Sequence, residues 1–272
     1  TPCGTLFPYT TLFRSILTSI HDDTYGGDTD NNGNTVGAAV GDWNHIDISG
    51  TNNASKLEYC KLYYGGGYYD YAYTLELNSN NTLVNHCTFA YNKGSSYYGV
   101  INARDAKSGT TITNNIFYAN TMPISISGYL DIDDSNIFHN PDNPGQINTR
   151  NCITVNGNWG QIEGHRTWEE TEVAFVFPDT DYSLTIDLDQ SLTLGDNVVL
   201  KFGADHSITH HNNLYNYNGP GVYFTSLRDD SMKGDSNGDG ANTSAATGDW
   251  RGVYNDVSHD YEVWTNILYS AN

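Results

Sequence analysis

Apolar positions in this chain fall in short alternating runs divided by Asn, Asp, Gly and Ser, and no long stretch carries them at helical spacing. The clearest runs repeat between residues 55 and 140. They read Leu57-Glu58-Tyr59-Cys60-Lys61-Leu62, Leu83-Val84-Asn85-His86-Cys87-Thr88-Phe89, Ile112-Thr113-Asn114-Asn115-Ile116-Phe117 and Asp133-Asp134-Ser135-Asn136-Ile137-Phe138. The anchors Leu62, Phe89, Phe117 and Phe138 are separated by 27, 28 and 21 residues, and an Asn follows the last three at Asn92, Asn120 and Asn140. A unit of that length is too small to close its own core but buries a continuous one when stacked on its neighbours, so the period predicts the coils of a solenoid. Further alternating strands, separated by Asp and Gly turns, are predicted at residues 172–177, 183–188, 191–194 and 198–202.

A second repeat is longer. Residues 18–43 return at 225–250, offset by 207 without a gap, with 12 of 26 positions identical. Counting back from Thr18, the similarity ends at Ile16. The preceding segment T-L-F-P-Y-T-T-L-F-R-S resembles the translation of a sequencing adapter, so residues 1–15 are set aside as non-native. The last residues, 267–272, stop inside a pattern already seen at 116–120, and both ends are therefore expected to be cuts in a longer protein. Pro141-Asp142-Asn143-Pro144-Gly145 and the Asn156-Gly157 turn signal place a module boundary near residues 141–160. Residues 16–145 then read as the closing coils of a first module, and residues 146–272 as the opening coils of a second.

On these strand repeats the chain resembles the right-handed parallel β-helix family, the pectate-lyase-like solenoids of large bacterial exported proteins. The resemblance spans nearly everything from Ile16 to Asn272. It implies an all-β right-handed parallel β-helix, with inward ladders of Ile, Val, Leu, Phe and Cys, turn ladders of Asn, and an extracellular or cell-surface location. A shared fold transmits no activity.

Composition agrees with strands and turns: of 272 residues, 38% are hydrophobic, with 21 Tyr and 27 Gly. No run is long enough to span a membrane. The 32 acidic residues against 12 basic ones leave a formal charge of −20, a surface that repels nucleic acid and anionic membranes and attracts divalent cations. Cys60 and Cys87 occupy equivalent places in neighbouring repeats, where they either stack as buried thiols or form a bridge.

The long repeat carries the candidate chemistry. Asp28-Thr29-Asp30-Asn31-Asn32-Gly33 and Asp235-Ser236-Asn237-Gly238-Asp239-Gly240 both fit the first half of an EF-hand-type loop, in which oxygens at alternate positions face one Ca2+ and Gly permits the sharp turn. Asp28, Asp30 and Asn32, and in the second copy Asp235, Asn237 and Asp239, are the expected first ligands. The closing Glu of an EF-hand is replaced by Ala39 and Ala246, so a flanking Asp (Asp22, Asp23 or Asp42; Asp229, Asp230 or Asp249) is expected to complete each site. A carbonyl near Asn34 or Ala241 and water would fill the rest. The competing reading is an Asp/Asn/Gly turn that holds no ion. Trp43 and Trp250 are expected to cap the adjoining coil.

No catalytic residue is assigned. The basic residues are scattered, unlike the basic groove of the family's lyases. Asp131, Asp133 and Asp134 read as an acidic turn rather than the spaced carboxylate pair of a glycosidase. His206, His210 and His211 read as a surface turn, because adjacent strand residues point to opposite faces. Tyr64, Tyr68, Tyr69, Tyr71 and Tyr73 form an aromatic, glycine-rich segment suited either to sugar rings or to a ladder between coils. Together these features give the expectation of a calcium-stabilised structural or adhesive β-helix, with a polysaccharide or cell-surface glycan as candidate partner. A polysaccharide lyase or glycoside hydrolase of the same fold is the alternative.

Overall fold

The computed structural model describes residues 15–33, 35–50, 54–67, 72–95, 97–157, 160–178 and 183–272; the segment read as non-native lies almost wholly outside them. Regular structure among these residues is entirely β. The first half contains β1 (Ile16–Leu17), β2 (Ile46–Gly50), β3 (Ser55–Glu58), β4 (Lys61–Tyr63), β5 (Leu75–Ser79), β6 (Thr82–Asn85), β7 (Thr88–Ala90), β8 (Ile101–Ala103), β9 (Thr111–Thr113), β10 (Ile116–Tyr118) and β11 (Ile124–Ile126). A hairpin, β12 (His139–Asn140) and β13 (Asn143–Ile147), leads to β14 (Cys152–Val155), β15 (His165–Trp168), β16 (Ala174–Phe177), β17 (Leu184–Ile186), β18 (Ser191–Leu194) and β19 (Val199–Phe202). The chain ends with β20 (Ser207–His210), β21 (Leu214–Tyr215), β22 (Tyr223–Ser226), β23 (Gly252–Asn255) and β24 (Asp260–Tyr261).

These strands wind into a parallel β-solenoid. One eight-stranded sheet, β2-β5-β8-β11-β14-β16-β19-β22, runs through both halves. In the first half the other faces are β1-β4-β7-β10 and β3-β6-β9; in the second they are β15-β18-β21 and β17-β20-β23-β24. The strands are short because each coil turns at a corner residue in the left-handed region. Tyr59, His86 and Asn114 (φ 56°, 53° and 55°) form one such stack, and Tyr64, Tyr91 and Ala119 (φ 63°, 59° and 52°) another. Such a conformation costs a non-glycine residue roughly 1–2 kcal/mol, so the packing between coils has to exceed it.

That packing is the repeat seen in the sequence. Leu62, Phe89 and Phe117 stand in register on successive coils, fully buried. The Phe89 and Phe117 rings stack at 5.1 Å, and Phe117 and Phe138 at 5.5 Å. In the second half Trp168 stacks on Phe175 at 4.7 Å, Phe177 on Phe202 at 4.8 Å, and Phe202 on Trp250 at 4.5 Å. Cys60 and Cys87 precede the paired residues Lys61 and Thr88 and remain free, buried thiols.

The asparagine ladder is also present, with one rung displaced. The Asn92 amide donates to Asn120 Oδ1 (3.1 Å) and to the Leu62 carbonyl (2.9 Å), and that of Asn120 donates to Asn148 Oδ1 (2.8 Å) and the Phe89 carbonyl (2.8 Å). The third rung is thus Asn148, not Asn140. The β12–β13 hairpin intervenes, and Asn140 lies in it with its amide on Gln146 Oε1 at 2.7 Å.

Candidate metal centres

Residues 18–43 leave the cylinder between β1 and β2, and residues 225–250 leave it between β22 and β23. Both loops are braced by the same bonds. Thr18 and Thr225 hydroxyls donate to Asp22 (2.5 Å) and Asp229 (2.6 Å). Ser19 and Ser226 donate to Asp42 (2.5 Å) and Asp249 (2.6 Å), which also accept the amides of Ala39 (2.8 Å) and Ala246 (3.0 Å). Asp28 accepts the Asn32 and Gly33 amides at 2.9 and 3.0 Å, and Asp235 accepts those of Asp239 and Gly240 at 3.3 and 2.7 Å. Gly33 and Gly240 have φ of 66° and 75°, the left-handed turn for which the motif's glycine was read. Trp43 Nε1 donates to the Tyr63 carbonyl (2.7 Å) and Trp250 Nε1 to that of Leu268 (2.8 Å), fixing each loop's exit to the next coil.

These bonds sort the expected ligands. Asp22, Asp42, Asp229 and Asp249 hold the backbone, whereas Asp23, Asp28 and Asp30 bring carboxylate oxygens within 4.8 Å of one another, as do Asp230, Asp235 and Asp239. Asn32 and Asn237 lie against these groups, their amides donating to Asp30 (2.6 Å) and Asp239 (3.0 Å). Asn34 lies outside the described residues; Ala241 lines a cleft beside the second group.

Crowding like charges has the expected electrostatic effect. Burial, and then the neighbouring Asp28 and Asp30, push the Asp23 carboxyl above the usual carboxylate range; burial and Asp235 do the same to Asp230. Asp30 is held below that range chiefly by its hydrogen bond with His21, and Asp239 by the Thr243 hydroxyl. One oxygen each of Asp23, Asp230 and Asp239 is shielded from solvent and has no hydrogen-bond partner. A shielded, unpaired carboxylate oxygen beside two more carboxylates is costly unless a cation or a proton satisfies it. An all-oxygen donor set of this kind suits a hard divalent ion such as Ca2+.

The other described residues singled out in the sequence make contacts within the solenoid. Asp131 accepts from Arg166 (3.1 Å) and the Thr167 amide (2.7 Å), Asp134 from the Thr171 amide (3.0 Å) and hydroxyl (2.8 Å), and Asp133 from the Ser135 hydroxyl (2.5 Å). His206 and His210 are buried rather than on a surface turn; the following coil covers His210, whose ring lies 5.9 Å from that of Trp264. Tyr64 stacks on Tyr91 at 5.5 Å, and Tyr73 sits against His45 at 4.7 Å and donates to Glu76 (3.0 Å). Tyr68, Tyr69 and Tyr71 lie outside the described residues.

Two basic residues that the motif reading missed secure the second loop. Lys201, fully buried on β19, donates to the Gly234 carbonyl at 2.7 Å, and Arg150 Nε donates to that of Ser236 at 3.4 Å. Burial pulls the Lys201 ammonium down to about 8, against the opposing attraction of Asp229, Asp230 and Asp235. The second loop therefore lies on the outer face of the long sheet, where Leu227 and Met232 pack with Met122, Cys152, Ala174, Val176 and Val199. The signal for this was the unbroken apolar run Ala174-Phe175-Val176-Phe177, the mark of a strand buried on both faces.

Compared with protein-family models, curated proteins and solved structures, the chain matches none, so its function is read from its own residues.

Proposed function

We propose that this chain is a calcium-stabilised structural or adhesive β-helix of an extracellular or cell-surface protein, of the pectate-lyase-like solenoid type. The observation that carries the reading is the twofold occurrence of one shielded, unpartnered oxygen, on Asp23 and on Asp230, each beside two further carboxylates. In each loop Asp23, Asp28 and Asp30, or Asp230, Asp235 and Asp239, would hold the ion, with Asn32 or Asn237 alongside. When bound, the ion would supply fixed positive charge that ties the loop's ends together and relieves carboxylate repulsion. The acidic surface favours cations over nucleic acid as partners. The two-module division also belongs to this reading, since the faces flanking the long sheet change between β10 and β15 while the core continues.

Calorimetry of the chain with calcium tests the proposal. Two weak sites are expected, with Kd roughly 10⁻⁴ to 10⁻³ M, together with a rise in Tm. Asp28→Asn should abolish one heat and Asp235→Asn the other. No calcium heat and no melting shift at millimolar metal would overturn it.

A further inference from the structure

Each loop has, beside its acidic group, a small open cleft, and most of the residues that line one cleft have a counterpart in the other. The first, about 240 Å³, is lined by His21, Asp22, Asp23, Thr24, Ala38 and Tyr64 among others. The second, about 280 Å³, is lined by their counterparts Arg228, Asp229, Asp230, Ser231, Ala245 and Tyr269. Tyr64 and Tyr269 come from the next coil, where each holds its loop through a backbone bond: the Gly41 amide donates to the Tyr64 carbonyl and the Gly248 amide to that of Tyr269, both at 3.1 Å. The cleft is therefore built jointly by loop and cylinder, and it recurs although the rim changes from His21 to Arg228 and from Val36 to Thr243.

We infer that each cleft receives one pyranose ring of a neutral glycan, so that the chain carries two monosaccharide subsites; this rests on the calcium reading above. Both volumes fall below the roughly 300–1,000 Å³ of sites for drug-sized ligands, which limits the occupant to about one ring. Tyr64 and Tyr269 supply aromatic surface, which suits the apolar face of a sugar. Thr24 and Ser231 line the clefts with hydroxyl groups, and the buried Asp22 and Asp229 carboxylates, already accepting from the Thr18 and Thr225 hydroxyls, hold each wall in place. Asp23 and Asp230 belong to both the cleft and the acidic group. Calcium takes six to eight oxygens, more than three carboxylates and one Asn provide singly, and adjacent sugar hydroxyls are oxygen donors of the right kind. A formal charge of −20 disfavours uronic or sialic acids, leaving neutral rings as the class.

The test uses the intact chain with the methyl glycosides of glucose, galactose, mannose and fucose, read by saturation-transfer NMR after calcium binding has been measured by calorimetry on the protein alone. Transfer to at least one glycoside is expected in calcium and should vanish with chelator. Tyr269→Ala with Tyr64→Ala should weaken it at least tenfold while the calcium heats persist; Tyr269→Leu with Tyr64→Leu provides a second pair should the alanine variants melt early. Calcium heats without transfer to any glycoside overturn the inference and leave the calcium reading standing. Absence of calcium heat overturns the reading and the inference with it. Transfer that survives chelation, or survives both tyrosine pairs, also overturns the inference.

Discussion

The two acidic loops share turn chemistry, bracing bonds and gathered carboxylates, yet one is packed down on the long sheet and the other is seated more lightly. Leu227 of the second loop is 8% exposed, whereas its counterpart Ile20 is 61% exposed. The second loop rests on the outer face of β14, β16 and β19 and is pinned by Lys201 and Arg150; the first meets the cylinder through Tyr25, whose ring lies 6.0 Å from that of Tyr63. Trp250 is buried against Phe202, but Trp43 is only half-buried. The contrast teaches that an ion-loop sequence specifies its internal geometry, while its stability depends on the surface beneath it.

The tryptophans offer the largest test of that contrast. Trp250→Ala should cost about 3–5 kcal/mol of unfolding free energy, measured by urea denaturation, and Trp43→Ala distinctly less; equal costs would break the comparison. Next comes Lys201→Met, which keeps the buried stem but strips the ammonium from Asp229, Asp230 and Asp235. Without calcium it should destabilise by about 2–3 kcal/mol, since the Gly234 carbonyl loses a charged donor and the acidic group loses a nearby positive charge. Calcium should then raise its Tm more than it raises that of the unsubstituted chain. Leu227→Ala should cost about 2–3 kcal/mol and Ile20→Ala no more than about 0.5 kcal/mol in the same denaturation assay.

A smaller effect concerns the seat of the second loop, where Lys233 donates to the Thr171 carbonyl beside the fully buried Glu170. Burial raises the Glu170 carboxyl from its ordinary 4.5 to about 8. The folded chain therefore binds the extra proton between these values, and stability falls as pH rises through that window. Glu170→Gln should flatten the fall, worth about 2 kcal/mol between about pH 5 and pH 7, in thermal melts.

Much of this was legible in the residues because it is local. Leu62, Phe89, Phe117 and Phe138 announced the coil through their spacing, and Asp28 to Gly33 and Asp235 to Gly240 announced the turn through side chains that bond amides only a few residues away. Asn92 and Asn120 were found on the same ground. Asn148 was not, since a hairpin displaced the rung by eight residues from Asn140 and the hairpin's reach depends on pairing rather than on turn composition.

The sequence by itself determined the strand-and-turn alphabet, the stacking period and the gathering of Asp at two corners, because alternation, φ preferences and short-range hydrogen bonds act within a few residues. Only the tertiary structure decided that Lys201 lies under the second loop, that His206 and His210 are inside, and that Asp23 and Asp230 rather than Asp22 and Asp229 join the acidic groups. Those outcomes follow from which coil lands on which face, and inter-coil register couples residues tens of positions apart that no local preference can align.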